Sequence, residues 1–582
     1  MSSTLASPPL APPSISFGPV LEQKLGGRVK VEPRPASDIP TLVTDAAALK
    51  EAALFLRDDP AAAYDLFLDL ASVDRSKLPG DLAPKDESRF QANYILYSTK
   101  RNEHLRLRVN LPAKEPAVPS LVGVWPAANW FEREAWDLMG IRFEGHPNLQ
   151  RLLTHNGFVG HALRKDYDKK QRWLCTEEDL LQTELAARTD DPADMFETMT
   201  LNFGPSHPTT HGTLRVVMRV DGEKIVGAES ECGYLHRCFE GMSETHTWVQ
   251  VVPYTDRLNY CSPMINGNGY VRAVEQMLGV DVPPRAKAAR TVLNEFSRIM
   301  DHLVCIAANL VDLGALTNFW YAFQPREEIY GLLEACCGAR LTSSYARIGG
   351  LAKDVPENFV EWSRSLLPTI RDRMADVDGL ITKNKIAWNR MRGTGVVSKE
   401  HAIAWGFTGP SLRASGVAYD VRKDKPYEMY GDVDFDVPIS TDGDNLARYL
   451  VRMEEMRQSM RIIEQILARF PKGPINSDDY RVILPPKEMV YNEMEGLIYH
   501  FKLVFEGVKV PPGEIYSFTE GANGELGYSL VSDGSGFPYR VKVRPPCFPL
   551  FAAFEHIIKG GMVSDAVATL GSLNVIAGEL DR

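Results

Sequence analysis

A chain of 582 residues is longer than one hydrophobic core can fill, so at least two domains are expected. With 44% apolar and 24% charged residues it reads as globular, and a net charge of -11 excludes the basic excess that marks a nucleic-acid binder. The eight cysteines include no CxxC pair, so the usual zinc and iron–sulfur patterns are missing, and most of them are expected as small buried residues.

Residues 1–40 are rich in Pro, Ser and Ala and are expected as a flexible tail, without the basic start or apolar core of an export signal. Thr44 or Asp45 is placed to cap a helix with Leu49, Ala53 and Leu56 on one face, closed by Pro60. Strands are expected at 94–97, 105–109 and 121–124; the second, Leu105-Arg106-Leu107-Arg108-Val109, alternates strictly. Asn129 and Glu132 then have the spacing of a helix N-terminus, and Gly140 suits its end. These elements predict a small α+β domain. The charged stretch from Lys169 onward has no strand pattern and reads as a helical linker.

The stretch from Leu201 to Pro263 mixes titratable, aromatic and turn-forming residues more densely than any other. His207 and His211 are four apart, which on a helix would bring both imidazoles to one face. Pro208, following Gly204-Pro205, moves them into a loop instead. From Leu214 apolar and polar residues alternate, break at Asp221-Gly222 and resume at Lys224, the pattern of a β-hairpin with a two-residue turn. The loop is thus tethered at the root of a hairpin, a common way to hold polar side chains over a cavity.

Beyond this stretch the pattern is mostly helical. Pro283-Pro284 open a helix with Ala288, Val292, Phe296, Ile299 and Leu303 at helical spacing. Leu446, Leu450, Met453, Met456, Met460, Ile463 and Leu467 form a second stripe behind Asp442 and Asp444, expected as core. The longest mid-chain apolar run, 303–311, ends at Asp312, well short of the roughly eighteen residues a membrane span needs, so no bilayer crossing is expected. GYSLVSDGSGFPYRVKVRPP returns to strand patterns, a β-rich cap on the helical body.

WFEREAWDLMGIRFEGHPNLQRLL and GHALRKDY resemble the C subunit of proton-pumping NADH:quinone oxidoreductase, respiratory complex I. GPSHPTTHG, GYLHR, VVPYTDRLNY, DLGALTNFWYAFQPRE, RIGG, TGPSLRASG, YDVRK and VSDGSGFPYRVKVR resemble its D subunit. In this order they cover residues 90–168 and 197–582, and the chain resembles the fused C–D form of some bacteria. The resemblance implies an α+β fold: a tail over 1–40, a C-like domain over 41–168, a linker over 169–195, and a mainly helical D-like domain over 196–582 with β-rich terminal parts. That larger domain is related to the large subunit of nickel–iron hydrogenases, which hold their metal with two CxxC pairs. Here Arg257-Leu-Asn-Tyr260-Cys261 and the ending Asp581-Arg582 stand in those places, so a hydrogen-cleaving metal site is not expected and the cavity is assigned to a quinone headgroup.

The resemblance assigns His211 and Tyr260 to the two carbonyls of the quinone. A quinone that accepts two electrons takes two protons, and an imidazole and a phenol can donate at opposite ends. Asp312 lies in an apolar stretch, where a buried carboxylate needs a partner, and the resemblance supplies His211. A nearby carboxylate favours imidazolium and burial opposes it, and the sequence leaves that balance open. His207 is left open as a structural residue. Arg237 and Arg257 are implied beside the last [4Fe–4S] cluster of the electron chain, which cysteines of a partner subunit hold, and there they tune its potential through charge and hydrogen bonds. In GARLTSSYARIGG, Thr342 stands where many relatives carry a histidine that touches this cluster. Threonine does not titrate in this range, so a cluster potential with weakened pH dependence is expected, and with it a lower potential suited to a low-potential quinone.

The implied function is a peripheral-arm subunit that forms the quinone pocket and couples quinone reduction to proton translocation. It binds no metal or cofactor of its own. The implied partners are the cluster-bearing B-like subunit, the ferredoxin-like I subunit, the membrane H-like subunit and the quinone, on the cytoplasmic side of the inner membrane. Two other readings keep the fold: a scaffold with a vestigial pocket, and a relative fed by a donor other than NADH.

Overall fold

The computed structural model describes residues 15, 17–35, 37–84, 88–170 and 198–582; most of the expected linker and the first fourteen residues lie outside the described residues. Helix α1 (Gly18–Lys24) and strand β1 (Val29–Glu32) occupy part of the expected tail, which corrects that expectation. Phe17, Leu21 and Leu25 are buried in the core, and β1 pairs with β2 (Thr41–Thr44). A composition average over forty residues hides these three apolar anchors.

A five-stranded sheet in the order β1-β2-β5-β4-β3 is completed by β3 (Leu66–Asp74), β4 (Ser88–Ser98) and β5 (Glu103–Pro112). β2 runs parallel to β5 and the remaining neighbours are antiparallel. Helix α2 (Leu49–Asp58) buries Leu49, Ala53 and Leu56, and the Asp45 carboxylate accepts the Ala48 N–H at 2.6 Å ahead of it. Residues 121–124 form a turn rather than a strand, because Glu132 Oε1 accepts the Leu121 N–H at 2.7 Å and Val124 N–H bonds back to Leu121 O. The strand lies just upstream as β6 (Ala117–Pro119), parallel to β7 (Arg142–Glu144). Glu132 therefore braces that turn instead of capping its own helix, α3 (Ala128–Met139), which ends at left-handed Gly140 as expected. Burial pushes the Glu132 carboxyl up to about 8.

The alternation of β5 has an unexpected use. Leu105, Leu107 and Val109 fill the core, yet Arg106 and Arg108 are buried as well, at 3% and 4% exposure. Their face turns to the C-terminal half, where Glu514 takes Arg34 at 2.6 Å and also pairs with Arg108. The same device recurs from the other side on β15 (Arg540–Arg544). Lys542 Nζ meets Glu134 at 2.6 Å, Arg540 donates to Ser72 O at 3.1 Å, and Arg544 donates to Leu68 O at 3.2 Å. Buried charges with filled partners thus seal the two halves together.

The second half is built on long helices. α4 (Pro263–Leu278), α5 (Pro284–Asp312), α6 (Leu316–Cys337), α7 (Phe359–Ile381), α8 (Asn445–Ala468) and α9 (Val563–Leu573) carry it, with α5 packed against α4, α6, α8 and α9. Pro283-Pro284 opens α5, and the Asp444 carboxylate caps α8 by accepting the Ala447 N–H at 2.7 Å. A sheet of β8 (Met199–Phe203), β9 (Arg215–Asp221) and β10 (Lys224–Glu231) contains the expected hairpin, with Lys224 opposite Asp221. The C-terminal cap pairs β13 (Gly513–Glu520), β14 (Glu525–Ser532) and β15 (strands β11 and β12 being the two-residue pair 346–347 and 350–351), and α4 packs on it. No helix among the described residues is long and apolar enough to cross a membrane.

Candidate functional site

The two histidines sit where the sequence places them, in the loop between β8 and β9. A single turn, Pro208–Thr210, separates them, and His211 ends it in the left-handed region with φ 54°. His207 Nδ1 accepts the Thr209 N–H at 3.2 Å and its ring lies 4.5 Å from Phe203, a structural role. The loop rests on the C-terminus of α5. There Thr209 Oγ1 donates to Asp312 Oδ2 at 2.9 Å, so the direct partner of the carboxylate is a threonine rather than the expected His211.

His211 and Asp312 still feel each other. Burial is the largest influence on both: it holds the imidazole below its ordinary value against the pull of Asp312, and the carboxyl above its ordinary value against Thr209 and His211. Both shifts run toward the neutral forms, with His211 on the exposed side of its loop and Asp312 half-buried.

Tyr260 lies in the irregular segment between Asp256 and Pro263, 39% exposed, its phenol pushed up to about 12 mainly by burial. Three residues earlier, Arg257 joins Arg237 in an open cleft of about 580 Å³, lined also by Phe239, Met242, His246 and Tyr254. Arg237 donates to the Arg257 carbonyl at 2.9 Å, and its guanidinium is lowered first by burial and then by the Arg257 charge. Two like charges in a cleft that, among the described residues, is lined by no carboxylate are well placed for an anionic or electron-rich group.

Thr342 occupies the loop after α6, with φ 49°, a region uncomfortable for a β-branched residue and more readily adopted by histidine. Two residues on, the Ser344 hydroxyl donates to Asp256, whose carboxyl burial pushes up to about 7. The Thr342 loop is thereby tied to the segment that carries Arg257 and Tyr260. Cys232, Cys261, Cys305, Cys336 and Cys547 are buried and Cys238 is exposed. Among the described residues no group of three or more His, Cys, Asp or Glu is placed to hold a metal ion.

Comparison with known proteins decides the family. Residues 42–172 match the model of the respiratory-chain NADH dehydrogenase 30 Kd subunit, and residues 312–582 that of the 49 Kd subunit. The C/D subunit of the NADH-quinone oxidoreductase of Bdellovibrio bacteriovorus is 47% identical over 577 residues, covering 97% of this chain and 99% of that protein. The chain belongs to the family of NADH-quinone oxidoreductase C/D subunits. The C/D subunit of Methylococcus capsulatus is 39% identical over 576 residues, covering 97% and 98% of the two chains. One of the D subunits of Sorangium cellulosum is 52% identical over 387 residues, 66% of this chain and 96% of its own. The chain is a fused C/D subunit of an oxidoreductase complex, respiratory complex I.

Proposed function

We propose that this subunit binds the quinone headgroup between the His211 loop and the Tyr260 segment, beside a [4Fe–4S] cluster held by a partner subunit. One observation carries the reading: a single helix, α5, fastens both segments, taking Thr209 on Asp312 and the residues around Tyr260 further along its length. Two groups that carry protons at pH 7 or can relay them are thus held by one rigid element, as the addition of two electrons and two protons to a quinone requires.

In this reading NADH is oxidised on another subunit and electrons arrive from the partner's cluster. Arg237 and Arg257 line the face toward that cluster, and their charges favour its reduced form. Tyr260 donates one proton to a quinone oxygen. His211 receives a proton through Asp312 and passes it to the other. The change of charge at Asp312 is the step that couples the event to proton translocation in membrane subunits. The segment 41–168 braces neighbouring subunits from the cytoplasmic side of the inner membrane, the cluster-bearing B-like, ferredoxin-like I and membrane H-like subunits among them.

The test compares, in membranes carrying Tyr260→Phe, NADH:quinone reduction with NADH reduction of an artificial acceptor that takes electrons upstream. A roughly hundredfold loss of the first, the scale of a missing general acid, with the second intact is expected. Survival of both reactions overturns the pocket and favours a scaffold, and parent membranes that oxidise no NADH point to another donor.

A further inference from the structure

Beneath Tyr260 lies a fully buried carboxylate to which the proton chemistry assigns no part. Asp301, on α5, is 0% exposed and accepts three hydrogen bonds. Asn259 Nδ2 and Ser262 Oγ reach its Oδ2 at 2.6 and 3.0 Å, and Asn574 Nδ2 reaches Oδ1 at 2.8 Å. The first two donors bracket Tyr260 and Cys261 in the chain. Asn259 passes the constraint on: its Oδ1 accepts the Cys261 N–H at 3.1 Å, and its carbonyl accepts Asn266 Nδ2 at 2.8 Å. The peptide groups on both sides of Tyr260 are therefore bonded into a frame that centres on Asp301.

The Tyr260 side chain shows the opposite character. Among the described residues its hydroxyl has no hydrogen-bond partner, and the residue stays 39% exposed while Asn259, Ser262 and Asn266 are 2%, 1% and 2% exposed. Backbone held and phenol free is the arrangement of a donor presented to a ligand. A carboxylate on a core helix, between Ile299 and Leu303, is tolerated only when its lone pairs are filled. Here the fillers come from the segment that presents Tyr260 and from Asn574, so the charge serves to dock that segment rather than to stabilise α5. Asp301 and Asp312 are eleven residues apart, within about 20° of the same helix face and about 16 Å apart along the axis. α5 thus offers one carboxylate to each loop.

We propose that Asp301 is a positioning residue for the Tyr260 phenol, fixing residues 259–262 through Asn259 and Ser262 without touching the substrate. The role rests on the quinone reading of Tyr260. The experiment uses membranes carrying the whole complex and measures kcat and KM for quinone beside the upstream acceptor reaction. Asp301→Ala is expected to lower kcat for quinone about tenfold, the order of a displaced reacting group, and to leave the upstream reaction unchanged. Asp301→Asn is expected within about threefold of the parent, because an amide oxygen still takes both loop donors and the Asn574 amide can turn to face the new N–H group. Combined with Tyr260→Phe, Asp301→Ala is expected to add less than about twofold, since its effect passes through the phenol.

Multiplicative losses in the double variant, or an Asp301→Ala enzyme equal to the parent beside a damaged Tyr260→Phe, overturn the positioning role alone. A silent Tyr260→Phe overturns the quinone reading and this role with it. Should Asp301→Ala fail to assemble, Ser262→Ala removes one of the two loop donors; a loss of about threefold that vanishes in the Tyr260→Phe background supports the role, and no loss overturns it.

Discussion

Along α5 the two candidate donor segments are fastened in different ways. The His211 loop hangs from one hydroxyl, Thr209, on a half-buried carboxylate, and its histidine ends the turn in a left-handed conformation. The Tyr260 segment is fastened by two buried donors to a carboxylate sealed from water, with a third donor completing the shell. Hydrogen bonds to a buried charge are worth roughly 1.5–3 kcal/mol each, and a partly exposed one is screened toward the low end. The Tyr260 backbone is thus fixed to α5 at two points while its phenol stays free, and the His211 loop is fixed to α5 at one. In the proposed reaction that division suits a donor held by its backbone facing a group that picks up a proton again after each turnover.

After Tyr260→Phe and Asp301→Ala, the next largest expected effect breaks the other anchor. Thr209→Val keeps the shape and removes the hydroxyl, and quinone reduction is expected to fall about threefold, less than for Asp301→Ala, with the upstream reaction unchanged. A tenfold loss would mean that the His211 loop is as tightly framed as its counterpart. Thr342→His sharpens the comparison on the cluster side. An EPR redox titration of the partner's cluster at two pH values is expected to show little shift in the parent and a shift approaching about 60 mV per pH unit in the variant. A parent that already shifts by that amount removes the argument from Thr342.

The smallest effect concerns Asp256, in the Tyr260 segment. Its folded pKa of about 7 lies above the ordinary carboxyl value of 3.8, so the folded state binds more protons between them. The contribution to stability is complete at low pH and lost as pH rises through 7. Asp256→Asn should therefore gain about one degree in the thermal inactivation temperature, relative to the parent, between pH 5 and pH 8. A pH-independent difference would show that Asp256 does not titrate there.

Local pattern was enough for the helix behind Pro283-Pro284, the hairpin at Asp221-Gly222 and the end of α3 at Gly140, because periodicity and turn chemistry act within a few residues. It failed at 121–124, where a strand-like run is held as a turn by Glu132, eleven residues on from Leu121. Asp301 left no readable trace, because at helical spacing it falls on the face opposite the stripe of Ala288, Val292, Phe296, Ile299 and Leu303, where a charged residue is unremarkable, and only the assembled core buries it. The alternation of β5 likewise gives no sign that Arg106 and Arg108 are buried, and only the C-terminal half turns their face into a sealed joint.

The amino-acid order by itself determined most of the element types and the family motifs, and it nominated His211, Tyr260 and Asp312 as candidate site residues. The tertiary structure decided which residues hold each loop, and that the Asp312 carboxylate is met by Thr209. The anchoring bonds join residues 103 positions apart for Thr209 and Asp312, and 42 apart for Asn259 and Asp301. Partners so distant are brought together by packing of whole elements, a property of the assembled core that no local window of sequence contains.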